Sequence, residues 1–213
     1  MHTIQGATVK FMSILPPKKR VFIIHGWGGF SGEGWFPWLK NELEEKGFEV
    51  QIPSMPNASH PKKEEWLPAL SSAIGIPDGS TYLVGHSLGC AAILQYLQSL
   101  PGNVTIGGAV LVAPVAGVES ITNRINEVAG AHDVLDSWIH TPMDWSVIKN
   151  NARHIVGIFS DNDMWIRTET ADMFREKLNA MTFLLHDHLH FSGDDNITEL
   201  PEALEALLHM SSR

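Results

Sequence analysis

The stretch at residues 81–90 restricts the possible folds of this chain more than any other part of the sequence. An apolar run typical of a buried β-strand leads into Gly-His-Ser-Leu-Gly at residues 85–89, and a helical pattern follows it. This is the G-x-S-x-G pattern, in which a serine occupies the tip of a tight turn between a strand and a helix. Glycines on both sides of the turn omit the Cβ atoms that would collide where strand and helix approach. We therefore predict that a sharp strand-to-helix turn lifts the Ser87 hydroxyl into solvent-accessible space.

The rest of the chain alternates short apolar runs with segments of helical periodicity. Apolar runs of the buried-strand type lie near residues 21–24, 48–52, 80–84, 106–113, 155–159 and 182–185. Helical stripes lie near residues 35–43, 62–74, 90–97, 168–178 and 200–208. This alternation predicts an α/β fold, a mostly parallel sheet with helices on both faces. Residues 7–11 could form an additional edge strand. Asn196, with Glu199 three residues later, resembles a capping box and predicts the start of the last helix.

Length and composition favour one globular domain over residues 1–213, with a short insertion at about residues 115–150. The insertion has no long period, but its length predicts some helical content. A net charge of −9 argues against nucleic acid or an anionic membrane surface as a partner. The single cysteine, Cys90, excludes an internal disulfide and fits a reducing compartment. Neither a signal peptide nor an apolar run of membrane-spanning length is visible, so we expect a cytoplasmic protein.

Polar residues follow the ends of several predicted strands, at residues 25–26, 87, 161–163 and 186–190. Ligands of parallel sheets bind beyond the carboxyl ends of the strands, so these residues are expected to gather at one edge. A serine hydroxyl is a poor nucleophile unless a base takes its proton and a carboxylate orients that base. The expected chain order is serine, acid, histidine, and after Ser87 the sequence supplies candidates for both the acid and the histidine, each just after a predicted strand.

Two aspartates are candidates for the acid. We prefer Asp163 to Asp161, because an apolar segment follows it and can pack the loop down. The Gly-rich turn at residues 25–29 can aim a backbone N–H at the acyl oxygen. Trp27 N–H is the natural donor there, and Leu88 N–H, at the start of a helix, is expected to be the second. These two amides are the predicted oxyanion hole.

Three histidines are candidates for the base: His186, His188 and His190. They alternate along the chain, so in an extended segment they would point the same way. His190 is preferred because it lies latest in the loop, and His188 is the second choice. Three imidazoles at alternating positions can also form a zinc site, which leaves a metal-dependent alternative open.

These residues resemble the α/β-hydrolase superfamily, and more narrowly the small serine hydrolases grouped with retinoblastoma-binding protein nine. The resemblance is carried, in chain order, by His25-Gly26-Trp27-Gly28-Gly29, Gly85-His86-Ser87-Leu88-Gly89, Leu111-Val112-Ala113-Pro114, Pro142-Met143-Asp144-Trp145, Ser160-Asp161-Asn162-Asp163 and His190-Phe191. It implies Ser87 as nucleophile, Asp163 as acid and His190 as base, in a compact domain with little lid that acts on small carboxylic esters. The chain departs from the family at Leu189, where a glycine usually precedes the histidine, and at Met164, where a proline usually follows the acid.

The sequence thus predicts a serine hydrolase that cleaves small carboxylic esters, or related acyl bonds, through an acyl-enzyme. No cofactor and no metal are expected, and the expected partner is a small-molecule ester. Two alternatives belong to other classes. One is a non-catalytic scaffold or binding protein of the same fold, and the other is a zinc-dependent hydrolase that uses His186, His188 and His190.

Overall fold

The structure, a computed structural model, describes residues 17–212. The edge strand expected at residues 7–11 lies outside the described residues. Within them, six strands form one sheet in the order β2-β1-β3-β4-β5-β6, and every neighbouring pair is parallel. The strands are β1 (Arg20–Ile24), β2 (Glu49–Gln51), β3 (Thr81–His86), β4 (Gly108–Val112), β5 (Ile155–Ser160) and β6 (Met181–Leu185).

Seven α-helices within residues 17–212 cover the sheet and complete the predicted α/β fold. They are α1 (Phe36–Glu45), α2 (Lys63–Ile74), α3 (Leu88–Ser99), α4 (Ala131–Ile139), α5 (Trp145–Asn150), α6 (Thr170–Leu178) and α7 (Pro201–Ser211). Helix α1 contacts α7, whereas α3 contacts α2 and α5, and α5 contacts α6. Six of the seven helices therefore fall into two contact groups, as expected for helices on opposite faces of the sheet, and the fold predicted from the alternation is confirmed.

Burial explains why the central strands are continuous apolar runs. Every residue of β3, β4 and β5 is buried, because helices cover both faces of a parallel sheet. The edge strand β6 is half-exposed along its length. Strand β3 pairs with β1 on one side and β4 on the other, so the turn that follows β3 lies at the middle of the sheet.

The predicted capping box at the last helix is wrong. Helix α7 begins at Pro201, and Leu200 occupies the N-cap position without a side-chain cap. Proline suits the first helical position because the N–H that it lacks would have no partner within the helix. Asn196 instead lies in the preceding loop with a left-handed φ of 61°.

Residues 115–150, where helical content was expected, contain two short 3₁₀ helices (Val118–Ser120 and Asn123–Glu127) followed by α4 and α5. This segment is tied to the loop after β5. Thr122 N–H donates to Trp165 O (2.8 Å), and Arg167 N–H donates to Ser120 O (2.8 Å). It is therefore held over the carboxyl end of the sheet. Among the helices of the described residues, none is long and apolar enough to cross a membrane.

Candidate active site

Ser87 occupies a strained turn between β3 and α3. Its φ of 52° and ψ of −117° lie outside the usual regions for a residue with a side chain. The turn is fixed by Ser87 N–H, which donates to Val112 O (2.9 Å). The flanking glycines are needed, because a Cβ on Gly85 would lie 2.9 Å from Cys90 N, and one on Gly89 would collide with Ile24 O. These contacts explain why the G-x-S-x-G turn has a glycine on each side of Ser87.

His190 lies between Ser87 and Asp163. Its Nε2 is 3.0 Å from Ser87 Oγ, and its Nδ1 is 2.9 Å from Asp163 Oδ2. A carboxylate only accepts, so Nδ1–H donates to Asp163 and Nε2 is left to accept the serine proton. The Asp163 side chain is 2% exposed and that of His190 15% exposed, so the pair is shielded from water while the ring still reaches the cavity.

Both oxygens of Asp163 are engaged. Oδ2 faces His190, and Oδ1 accepts from the backbone N–H groups of Trp165 (2.8 Å) and Ile166 (3.1 Å). The segment after Asp163 thus folds back on its carboxylate, as its apolar composition suggested. The carboxylate is fixed in one orientation, which in turn fixes the ring of His190.

Asp161 lies on the surface, away from this chain of hydrogen bonds. It accepts from His186 Nδ1 (2.6 Å) and from Asp187 N–H (3.1 Å). The hydrogen bond from His186 lowers the pKa of Asp161 and raises the pKa of His186. Asp161 therefore orients a different histidine from the one beside Ser87.

The three late histidines do not point the same way, so that expectation is wrong. Asp187, Leu189 and Phe191 have φ values of 59°, 48° and 59°, which coil the chain instead of extending it. His188 Nδ1–H donates to His186 O (2.8 Å) and so turns away from Ser87. Among residues 17–212, the only trio with ligand atoms within 4.8 Å of one another is Asp161, His186 and Asp187, all exposed. The imidazole cluster required by the zinc alternative is therefore not formed.

Two groups that hold His190 were not predicted from the sequence. His86 Nε2–H donates to His190 O (2.7 Å), and Asp195 Oδ2 accepts from His190 N–H (3.1 Å). Burial, reinforced by the nearby His190, lowers the pKa of His86 to about 3, so His86 is a neutral donor. Its position immediately before Ser87, at the end of a buried strand, was the signal available in the sequence.

Trp27 and Leu88 lie beside Ser87, as the predicted oxyanion hole requires. Both line, together with Ser87 and His190, an apolar cavity of about 200 Å³, called here the apolar cavity. Leu88 is the first residue of α3, where backbone N–H groups have no partner within the helix. The loop of Trp27 approaches Ser87 closely, since a Cβ on Gly26 would lie 3.0 Å from Ser87 Cβ.

A second cavity of about 520 Å³ is also lined by Ser87 and His190 and is called here the polar cavity. Glu33, Ser192 and Asp194 contribute to its lining. Burial raises the pKa of the Glu33 carboxyl. Ser87 and His190 thus line two cavities, one mostly apolar and one with polar and charged lining residues.

Four further tryptophans divide between the core and the apolar cavity. Trp165 lines the apolar cavity, Trp35 and Trp138 are fully buried in the core, and Trp38 packs against the core from a half-buried position. Cys90 is buried with its thiol against Val112 O, and burial raises its pKa, so it is an inert packing residue.

The sequence was compared with protein-family models and with known proteins. The family model described as serine hydrolase matches residues 21–209. The protein YdeN of Bacillus subtilis strain 168 is 32% identical over 195 residues, covering 92% of this chain and 97% of YdeN. The serine hydrolase RBBP9 of Rattus norvegicus is 23% identical over 196 residues, covering 91% of this chain and 96% of the rat protein.

Solved structures give the same fold. The crystal structure of the B. subtilis ydeN gene product superposes with a TM-score of 0.82 over 92% of this chain and 100% of that chain. Est1E of Butyrivibrio proteoclasticus, 16% identical, superposes with a TM-score of 0.70 over 92% of this chain and 89% of that chain, which shows a shared fold. By sequence and by structure, this chain belongs to the serine hydrolase family and has the α/β-hydrolase fold.

Proposed function

We propose that this protein hydrolyses small carboxylic esters through a covalent acyl-enzyme, with Ser87 as nucleophile, His190 as base and Asp163 as the orienting acid. The observation that carries the proposal is the continuous hydrogen-bond chain from Ser87 Oγ through His190 to the buried Asp163. Family membership supports the hydrolase class. The ester substrate follows from the resemblance of the motifs to serine hydrolases that act on small carboxylic esters, and the cavities of about 200 and 520 Å³ beside Ser87 have room for a small molecule.

The acylation step follows from the donor and acceptor positions. Ser87 Oγ attacks the carbonyl carbon while His190 Nε2 takes its proton. The imidazolium that forms is stabilised by Asp163, which keeps the second proton on Nδ1. As the carbon–oxygen bond of the ester breaks, Nε2–H returns the proton to the leaving alkoxide, and the acyl group stays on Ser87.

Deacylation repeats the sequence with water. His190 Nε2 takes a proton from a water molecule that attacks the acyl carbon, and the proton then passes to Ser87 Oγ as the acid leaves. In both steps the negative charge develops on the carbonyl oxygen. The backbone N–H groups of Trp27 and Leu88 are proposed to bind that oxygen, where a preorganised donor is worth about 3 kcal/mol or more.

The chemistry calls for no cofactor, and the substrate partner is a small molecule. The alternative of a non-catalytic scaffold gains no support from a nucleophile, base and acid in mutual hydrogen-bond reach, because a scaffold needs none of these contacts. The zinc alternative loses its basis, since His190 faces Ser87 while His186 and His188 face elsewhere.

Labelling by a fluorophosphonate probe, read by intact mass, tests the proposal. We expect the wild-type protein to gain one probe adduct and Ser87→Ala to gain none, because only an activated serine attacks the probe. Ser71→Ala, which changes an exposed serine of α2, is the matched control and should be labelled like the wild type. Folded wild-type protein that takes up no probe would contradict the proposal and favour the scaffold.

A further inference from the structure

The apolar cavity beside Ser87 is bounded by a partition of three aliphatic side chains. Ile121, Ile125 and Leu135 line the apolar cavity on one side. The same three residues line another cavity on the far side, of about 220 Å³, called here the outer cavity. The outer cavity does not include Ser87 or His190 among its lining residues. Because the three side chains belong to both cavities, they separate the nucleophile from the additional space.

The partition is anchored firmly at one end. Ile121 forms an antiparallel bridge with Ile166, and Ile121 O accepts from Arg167 Nε (2.5 Å). Leu135 projects from α4 and is 4% exposed, so the surrounding residues hold it in place. Ile125 belongs to the short 3₁₀ helix Asn123–Glu127 and is only half-buried. Ile125 is therefore the least buried of the three partition residues.

The volume of the apolar cavity limits what can enter it. A dry cavity of about 150 Å³ is enough to bind benzene. A cavity of about 200 Å³ therefore has room for a chain of roughly six to eight carbons. Its lining includes Val115, Val128 and Trp165 besides the partition, which suits an unsubstituted hydrocarbon.

Most of the exposed side chains that line the outer cavity are polar, in contrast to the three aliphatic side chains of the partition. His132, Asp136 and His140 are exposed there, and Asp136 Oδ1 lies 3.6 Å from His132 Nδ1. Contact with these polar side chains does not favour the burial of a hydrocarbon chain. The acyl chain of a substrate held at Ser87 would reach the outer cavity only through the partition, and only if the partition were opened.

We propose that Ile121, Ile125 and Leu135 set the chain-length limit of the substrate, which is an ester of a short apolar acid of up to about eight carbons. This inference rests on the ester hydrolysis proposed above and assigns the apolar cavity to the acyl group. The partition residues do not touch the reacting atoms. They act by stopping the far end of the chain, so that longer chains cannot place their carbonyl carbon at Ser87 Oγ.

The test is the chain-length profile of kcat/KM. Nitrophenyl esters of unbranched acids, from acetate to dodecanoate, are used below their micellar concentrations. For the wild type we expect the best values at about four to six carbons and a fall of at least ~10-fold by dodecanoate, since one methylene too many can cost that much. Ile125→Ala and Leu135→Ala should raise the ratio of dodecanoate to butyrate turnover by at least ~10-fold, because they join the two cavities.

Ile139→Ala is the matched control. Ile139 lines the outer cavity but not the apolar cavity, so its truncation should leave the wild-type profile. Leu135 is buried, and Leu135→Val provides a milder opening if the alanine variant unfolds. Thermal unfolding of each variant establishes that the protein measured is folded.

Three results would overturn the inference. Wild-type protein that hydrolyses dodecanoate as well as butyrate would show that the cavity does not limit the chain. Folded partition variants that keep the wild-type profile would show that these residues are not the limit. Failure of every ester to be hydrolysed in a Ser87-dependent manner would remove the proposed function as well, and is distinguishable because it leaves no profile to compare.

Discussion

Asp161 and Asp163 lie two residues apart after the same strand, yet their surroundings differ completely. Asp163 is buried, accepts two backbone N–H groups and faces His190, whereas Asp161 is exposed and faces His186. The sequence left both open as the acid, because a side chain's direction at the end of a strand depends on how the following loop coils. The contact between the loop backbone and Asp163 makes the difference.

Asparagine substitutions at Asp163 and Asp161 should have very different effects on kcat. Asp163→Asn should lower kcat by about 10⁴-fold, because an amide no longer holds His190 in the tautomer that accepts the serine proton. Asp161→Asn changes only the surface contact with His186 and should keep kcat within ~3-fold of the wild type. The measurement is steady-state hydrolysis of a short nitrophenyl ester. Equal losses in the two variants would contradict the assignment of Asp163.

The loop between β6 and α7 is the element on which the site depends, and it is held by side chains rather than by regular structure. Leu189 and Phe191 both take left-handed φ values, which are unfavourable for residues with a Cβ. His190 between them has its backbone oxygen bound by His86 and its backbone nitrogen by Asp195. Trp35 Nε1–H also donates to Phe191 O (3.0 Å). These contacts hold the loop with Leu189 in a left-handed conformation, at a position where the resemblance to serine hydrolases implies a glycine.

Two variants of His86 separate the hydrogen bond from the volume of the side chain. His86→Phe leaves His190 O without its donor, which should cost about 1–3 kcal/mol of unfolding free energy. It should also lower kcat/KM by about 10²-fold, because the imidazole of His190 is no longer held in register with Ser87. His86→Gln keeps an N–H donor and should stay within ~10-fold of the wild type. Urea denaturation and ester kinetics on both variants provide the measurements, and similar activity in the two would show that the hydrogen bond does not position His190.

The strands and helices that could be predicted were those marked by an unbroken apolar run or a regular helical pattern in the sequence. The six strands were found because parallel strands buried on both faces are unbroken apolar runs, and the central ones are buried at every residue. The 3₁₀ helices and α4 were not located, since residues 115–150 take their shape from contacts with the loop after β5. The capping box failed because Pro201, rather than a polar cap, begins α7. The common direction expected for the three late histidines was wrong because positive φ values at alternate residues are not visible in the sequence.

At the scale of the whole molecule, folding requires two histidines to be buried in neutral form. His25 Nδ1–H donates to Gly26 O (2.9 Å), and its Nε2 accepts from Met55 N–H (3.1 Å), so both ring nitrogens are used. His86 is packed against the rings of Trp35 and Phe36. Burial lowers the pKa of both histidines. Protonation of either would place a charge in the core beside the turn that carries Ser87.

This burial makes the stability of the protein dependent on pH in a definite direction. The folded-state pKa of His86 is about 3, below its usual value of 6.5, so the unfolded chain binds more protons between these values. The contribution of His86 to stability is therefore complete above about pH 6.5 and is lost progressively as the pH falls toward 3, at up to about 1.4 kcal/mol per pH unit.

The free energy of unfolding in urea, measured at several values between pH 7 and 4.5, should thus fall more steeply for the wild type than for His86→Gln. His132→Gln, which removes an exposed histidine, should keep the wild-type slope. Parallel curves for the wild type and His86→Gln would mean that His86 is not the group that the folded protein must keep neutral.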